Sequence, residues 1–77
     1  MNRLVLKVFD DEHVVYYYYP DGLGPCGEIE YIFGEDEPTI LKLGNNDRGY
    51  FANKAMEFLD ECIEWGMYPL RWLMAWN

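Results

Sequence analysis

The first residues of the chain set a period of two. Leu4, Leu6 and Val8 alternate with Arg3, Val5, Lys7 and Phe9, the pattern of a strand with one buried side. Asp10-Asp11-Glu12 then turns the chain. Residues 14–19 are all β-branched or aromatic, which crowds χ1 in a helix and suits a pleated sheet. Val15, Tyr17 and Tyr19 share one side of this second strand, and Val14, Tyr16 and Tyr18 the other. With neither side charged, the pattern predicts a central strand or one covered on both faces. Residues 20–27 hold two prolines and three glycines and predict a loop. A third strand over 28–33 points Ile29, Tyr31 and Phe33 inward and Glu28, Glu30 and Ile32 outward. The polar turn 34–38 leads to a short fourth strand over 39–43.

The period then changes. Phe51, Ala55, Phe58, Leu59 and Cys62, widened by Ala52, Met56 and Ile63, form one helical stripe, and Asn53, Lys54, Glu57, Asp60, Glu61 and Glu64 take the other side. Asn46 or Asp47 is placed to cap a helix starting near Gly49 or Tyr50. Gly66 supplies the stop, and Pro69 prevents simple continuation. The tail over 70–77 fits a short helix or a strand. Its aromatic content at Trp72 and Trp76 favours a strand added to the sheet. The expected fold is α+β: a four- to five-stranded, mostly antiparallel sheet with one amphipathic helix packed on one face, in a single domain over 1–77.

This arrangement resembles a family of small uncharacterised bacterial proteins. The matching features are a tyrosine-rich strand ending in proline (residues 16–20), a glycine-introduced strand (27–32), the segment opening the helix (47–55), Pro69 and a closing Ala75-Trp76. The resemblance implies the order of elements and carries no activity.

Composition narrows the function classes. At 77 residues, 51% of them hydrophobic and 18% aromatic, the chain has far more apolar content than a disordered segment. It contains no apolar run approaching the roughly 20 residues that cross a bilayer. Fourteen acidic residues against six basic ones give a net charge of −8, which opposes binding to nucleic acid or an anionic membrane. Lys7 interrupts the N-terminal apolar run too early for a signal peptide. Two cysteines, Cys26 and Cys62, are too few for a disulfide scaffold. Both are expected as reduced thiols in a cytoplasmic protein.

Candidate chemistry is sparse. His13 is the only histidine, so a metal site must be mixed, and the Asp10-Asp11-Glu12-His13 turn reads as solvated. Neither residues 34–37 nor 45–47 follow the spacing of a calcium loop. Gly22, Gly24 and Gly27 have the spacing of a dinucleotide fingerprint, but a strand follows instead of the helix that would cradle phosphate. Cys26 with His13 as base, or the Glu28 and Glu30 carboxylates, supply the minimum for an enzyme of unknown reaction. A domain this small leaves little room for a deep cleft. No catalytic residue, cofactor or metal ligand is therefore assigned.

Surface area points elsewhere. One helix covers only one face of a sheet. Tyr16, Tyr18, Ile32 and Phe9 are expected on the bare face, joined by Trp72 or Trp76, as an aromatic contact surface for protein partners, most simply a second copy. The alternative is an acidic inhibitor or antitoxin-like protein that docks a basic, nucleic-acid-binding partner through Glu57, Asp60, Glu61 and Glu64.

Overall fold

Antiparallel pairing runs through the whole sheet. Strands β1 (Asn2–Phe9), β2 (His13–Pro20), β3 (Gly27–Ile32), β4 (Thr39–Lys42) and β5 (Arg71–Met74) lie in the order β4-β3-β2-β1-β5, with helix α1 (Tyr50–Trp65) packed on one face. The computed structural model describes residues 1–76. The expected α+β class holds. The tail is a strand, pairing with β1 from Asn2 opposite Met74 to Val5 opposite Arg71; Asn77 lies outside the described residues.

Register decides which side of β2 meets the helix. Tyr16 lies opposite Leu6 on β1 and Ile29 on β3, and Tyr18 lies opposite Leu4 and Gly27. Leu4, Val14, Tyr16, Tyr18, Ile29 and Tyr31 therefore form the floor on which Ala52, Ala55, Phe58, Leu59 and Cys62 pack. This corrects the placement of Tyr16 and Tyr18 on a bare face: both are 0% exposed, beneath α1. Alternation within β2 separates two sides but does not say which one faces the helix. The hydroxyls of both tyrosines find partners inside. Tyr16 Oη donates to the Pro69 carbonyl at 2.6 Å, and its ring meets Phe58 edge-on with centroids 5.1 Å apart. Gly27 makes room for the neighbouring tyrosine, since a Cβ at that position would overlap the Tyr18 ring.

A second correction comes from a bulge in β1. Leu6 pairs with Tyr16 and Val8 with Val15, so Lys7 is an extra residue, and beyond it the two sides of the strand exchange. Phe9, expected on the bare face, lies opposite Val14 on the helix side. Its ring stands 6.0 Å from Phe33 and 5.2 Å from Tyr68. Val8, expected with Leu4 and Leu6, moves to the open side. Lys7 also remains there, with Nζ 2.7 Å from Glu28 Oε1 and 5.2 Å from the Tyr17 ring centre.

The helix start is fixed by one buried carboxylate. Asp47 Oδ1 accepts from the Gly49 N–H at 2.9 Å and the Phe51 N–H at 3.0 Å. Its Oδ2 accepts from the Ala52 N–H at 2.9 Å and from Tyr18 Oη at 2.6 Å. The Tyr18 hydroxyl in turn accepts from the Gly44 N–H at 2.9 Å. Gly49 occupies the cap position with φ 116°, and no acidic residue stands in the first turn. Asp47 thus supplies both the missing acceptor and the negative charge that suits a helix N-terminus. Asn2 adds a tie from β1, donating Nδ2–H to the Phe51 carbonyl at 2.9 Å. At the other end Gly66, with φ 70°, donates its N–H to the Cys62 carbonyl, a left-handed glycine stop.

Burial pushes the Asp47 carboxyl up, but the hydrogen bonds from Tyr18, Gly49, Phe51 and Ala52 more than offset it and hold its pKa below the ordinary value. A depressed folded-state pKa means the stabilisation is present above the unfolded value, roughly 3.9, and is lost as pH falls through the folded one. Asp47→Ala is expected to cost about 3 kcal/mol in urea unfolding at neutral pH, since it removes a helix cap and leaves the Tyr18 hydroxyl without its acceptor. The deficit of Asp47→Asn relative to wild type should be full at pH 6 and shrink below pH ~4. A deficit independent of pH would contradict the assigned charge.

Candidate interaction site

The left-handed stop at Gly66 leaves five residues, 66–70, to travel from the end of α1 to the start of β5, and that short path shapes an apolar recess. Pro69 cannot continue a helix, and its carbonyl is held by Tyr16. Tyr68 turns inward against the core. Trp65, Met67 and Leu70 are left pointing out, the two outermost being 75% exposed. Phe58, Cys62, Trp65, Met67, Tyr68, Pro69 and Trp72 line an open recess of about 620 Å³, with Glu61 at its rim. A second, smaller recess of about 350 Å³ continues along the seam between α1 and β5, shares Glu61 and Trp72 with the first, and ends at Trp76. Helix α1 lies over β1, β2, β3 and β4. It meets β5 through side chains, notably Phe58 stacked on Trp72 at 6.0 Å, so the seam stays open as a trough.

The outer edge of β5 borders this trough. The Leu6 N–H donates to the Leu70 carbonyl at 2.9 Å. Antiparallel alternation then directs the backbone groups of Trp72 and Met74 at β1, and those of Arg71 and Leu73 away from the sheet. Leu73 is exposed beside them. The opposite edge, β4, is differently protected: its pairing with β3 carries a register shift, Pro38 precedes it and Lys42 is its last residue. These features discourage edge pairing.

The residues expected to form a contact surface are not brought together. Tyr16 and Tyr18 are inside. Ile32 lies opposite His13 on the open face, and Trp72 and Trp76 lie along the seam. Trp76 packs on Tyr50 and Phe51 with centroids 5.9 and 5.8 Å away. Trp65, Met67, Leu70 and Leu73 were missed. Their signal was present as large apolar residues crowded around two breakers, Gly66 and Pro69, where a turn has little core to reach.

Glu57, Asp60, Glu61 and Glu64 are all exposed, and Lys54 stands 3.5 Å from Glu57. The spacing is electrostatically adverse. Glu57 with Glu61 and Asp60 with Glu64 are like charges four residues apart, each pair costing an exposed helix a few tenths of a kcal/mol. Three of the four acids occupy the C-terminal half of α1, whose last turn contains no basic residue, against the preference of the helix dipole for cations there.

The residues weighed for catalysis are separated or engaged. Cys26 adjoins Gly27, which pairs with Tyr18, whereas His13 pairs with Ile32. Along β2 the two ends are some five to six residues apart, about 17–20 Å, which rules out a thiol–imidazole pair. His13 Nδ1 lies 2.6 Å from Glu30 Oε2, and its Nε2 lies 3.3 Å from Asp10 Oδ2. Glu28 is held by Lys7. Burial and the nearby Glu61 push the Cys62 thiol up to about 11, leaving it protonated at neutral pH. Among the described residues no group of three His, Cys, Asp or Glu side chains is placed to hold a metal ion, and no helix is long and apolar enough to cross a membrane.

No protein-family model, curated protein or solved structure matches the chain.

In the native protein at neutral pH, Cys62 is expected to react with iodoacetamide at least ~10-fold more slowly than Cys26, the two converging in denaturant; equal native rates, resolved by peptide mass spectrometry, would contradict the burial described. The hydrogen bond to Glu30 and the charges of Asp10, Glu30 and Glu12 raise the His13 pKa despite its partial desolvation. Its contribution is therefore fully present below the unfolded value, roughly 6.5, and is lost as pH rises through the folded one. His13→Gln should lower the urea midpoint more at pH 5.5 than at pH 8.5.

Proposed function

We propose that this protein is a non-catalytic interaction module that self-associates through the outer edge of β5. Two copies would pair antiparallel about a two-fold axis normal to the sheet and continue it across the interface, with both helices on one side. The observation that carries this is the regular, unbulged β5 edge, which directs the backbone groups of Arg71 and Leu73 outward beside exposed Leu70 and Leu73. An edge strand of that kind is a template for another strand, and apolar residues grouped around it supply the area that hydrogen bonds alone do not. Two free thiols support a reducing, cytoplasmic setting.

Sedimentation velocity over a dilution series tests self-association. A dimer is expected at micromolar concentration, persisting at 0.5 M salt, because backbone pairing and apolar burial resist screening while the repulsion between two chains of net charge −8 does not. Leu73→Pro removes an outward N–H and leaves the β1 ladder in place. It should weaken the dimer at least ~10-fold with an unchanged circular dichroism spectrum. A monomer at every concentration would contradict the proposal.

A further inference from the structure

We infer that the trough along the α1/β5 seam binds a basic amphipathic helical segment of a partner protein, its apolar side chains seated on Trp65 and Trp72 and its lysines or arginines facing Glu57, Glu61 and Glu64. The inference deepens the interaction reading but does not require the β5-paired dimer, because one chain supplies the whole trough. The floor is apolar: Phe58, Tyr68, Pro69 and Trp72 line its wide end, and Trp72 links it to the narrow end beside Trp76. The helix bank is acidic. Glu57 and Glu61 both line the narrow end, and Glu61 also rims the wide one. Glu57, Glu61 and Glu64, at i, i+4 and i+7, run along α1 as one stripe.

Charge complementarity selects the occupant. The single cation on this bank, Lys54, is already beside Glu57, and its ammonium lies 5.7 Å from the Trp76 ring centre. Farther along, like charges face one another and the helix C-terminus without compensation. A basic segment relieves that repulsion, whereas a second copy of this acidic chain presenting its own α1 would increase it. A helix laid in an apolar groove is an established mode of peptide recognition. In a β5-paired dimer both helices stand on one side of the joined sheet, set back over β1 to β4, so the trough remains accessible.

The test uses a dye-labelled synthetic amphipathic helix of leucine and lysine, a second peptide with glutamate for lysine, and a third with serine for leucine. The leucine–lysine peptide is expected to bind, shift the tryptophan emission, and lose at least ~10-fold in affinity between 50 and 300 mM salt. Both control peptides should bind at least ~10-fold more weakly. Glu57→Gln/Glu61→Gln/Glu64→Gln should weaken binding at least ~10-fold while raising the melting temperature of the free protein. Glu35→Gln/Asp36→Gln/Glu37→Gln, which removes equal charge elsewhere, should leave affinity unchanged. Equal loss from the two charge variants, or equal binding of the lysine and glutamate peptides, would overturn the inference. The monomeric Leu73→Pro variant separates the two proposals: unaltered peptide affinity there supports the trough whatever sedimentation shows, and lost affinity overturns its independence from the dimer.

Discussion

One carboxylate holds the two layers of this protein together. Asp47 is nearly buried and accepts four hydrogen bonds, three from the backbone at the start of α1 and one from Tyr18 in the middle of the sheet. Because the same tyrosine hydroxyl accepts from Gly44, the loop before the helix, the helix start and the central strand are fixed to one another at a single point. The helix has no other acidic residue near its N-terminus, so its direction and its height over the sheet depend on this contact. Tyr16, two residues away on the same side of β2, does the corresponding work at the far end by holding Pro69.

Fixing both ends of α1 also fixes what it leaves uncovered. The helix lies over β1 to β4, and β5, added beyond β1, is reached mainly by the stack of Phe58 on Trp72. A 16-residue helix spans about 24 Å but covers only part of the width of a five-stranded sheet. The seam at the β5 side is therefore one place where large apolar residues, Trp65, Leu70 and Trp72 among them, remain in contact with water. That is also the side toward which α1 turns part of its acidic stripe, so apolar floor and negative bank arise from one geometric cause.

Much of the fold was legible in the sequence, because period and punctuation report local structure directly. The alternation of Glu28 through Phe33, the stripe from Phe51 to Cys62 and the Gly66 stop each depend on neighbours a few residues away, and the structure reproduces them. What was not legible depends on register. The choice between the two sides of β2 is set by the pairing of Tyr16 with Leu6 and Ile29, and no pattern within β2 encodes it. The bulge at Lys7 moved Phe9 and Val8 to opposite sides from those expected, since an extra residue leaves no compositional mark. Asp47 was visible as a cap, but its bond to Tyr18 joins positions 29 residues apart that only the folded chain brings together. The seam was hidden for the same reason: Trp65 ends α1 outside its core stripe, Met67 and Leu70 belong to no helix or strand, and the recess they border is completed by β5.

Residue-resolved amide hydrogen exchange, followed by NMR at two protein concentrations, tests the central claim most directly. The Phe51 and Ala52 amides, which a helix N-terminus would otherwise leave open to water, should exchange as slowly as those of Tyr16 and Tyr18 at both concentrations, because only global unfolding breaks the Asp47 contact. The Arg71 and Leu73 amides should exchange quickly when dilute and gain protection when concentrated. Fast exchange at Phe51 and Ala52 would contradict the account, since the helix would then be fraying at the point on which its placement depends.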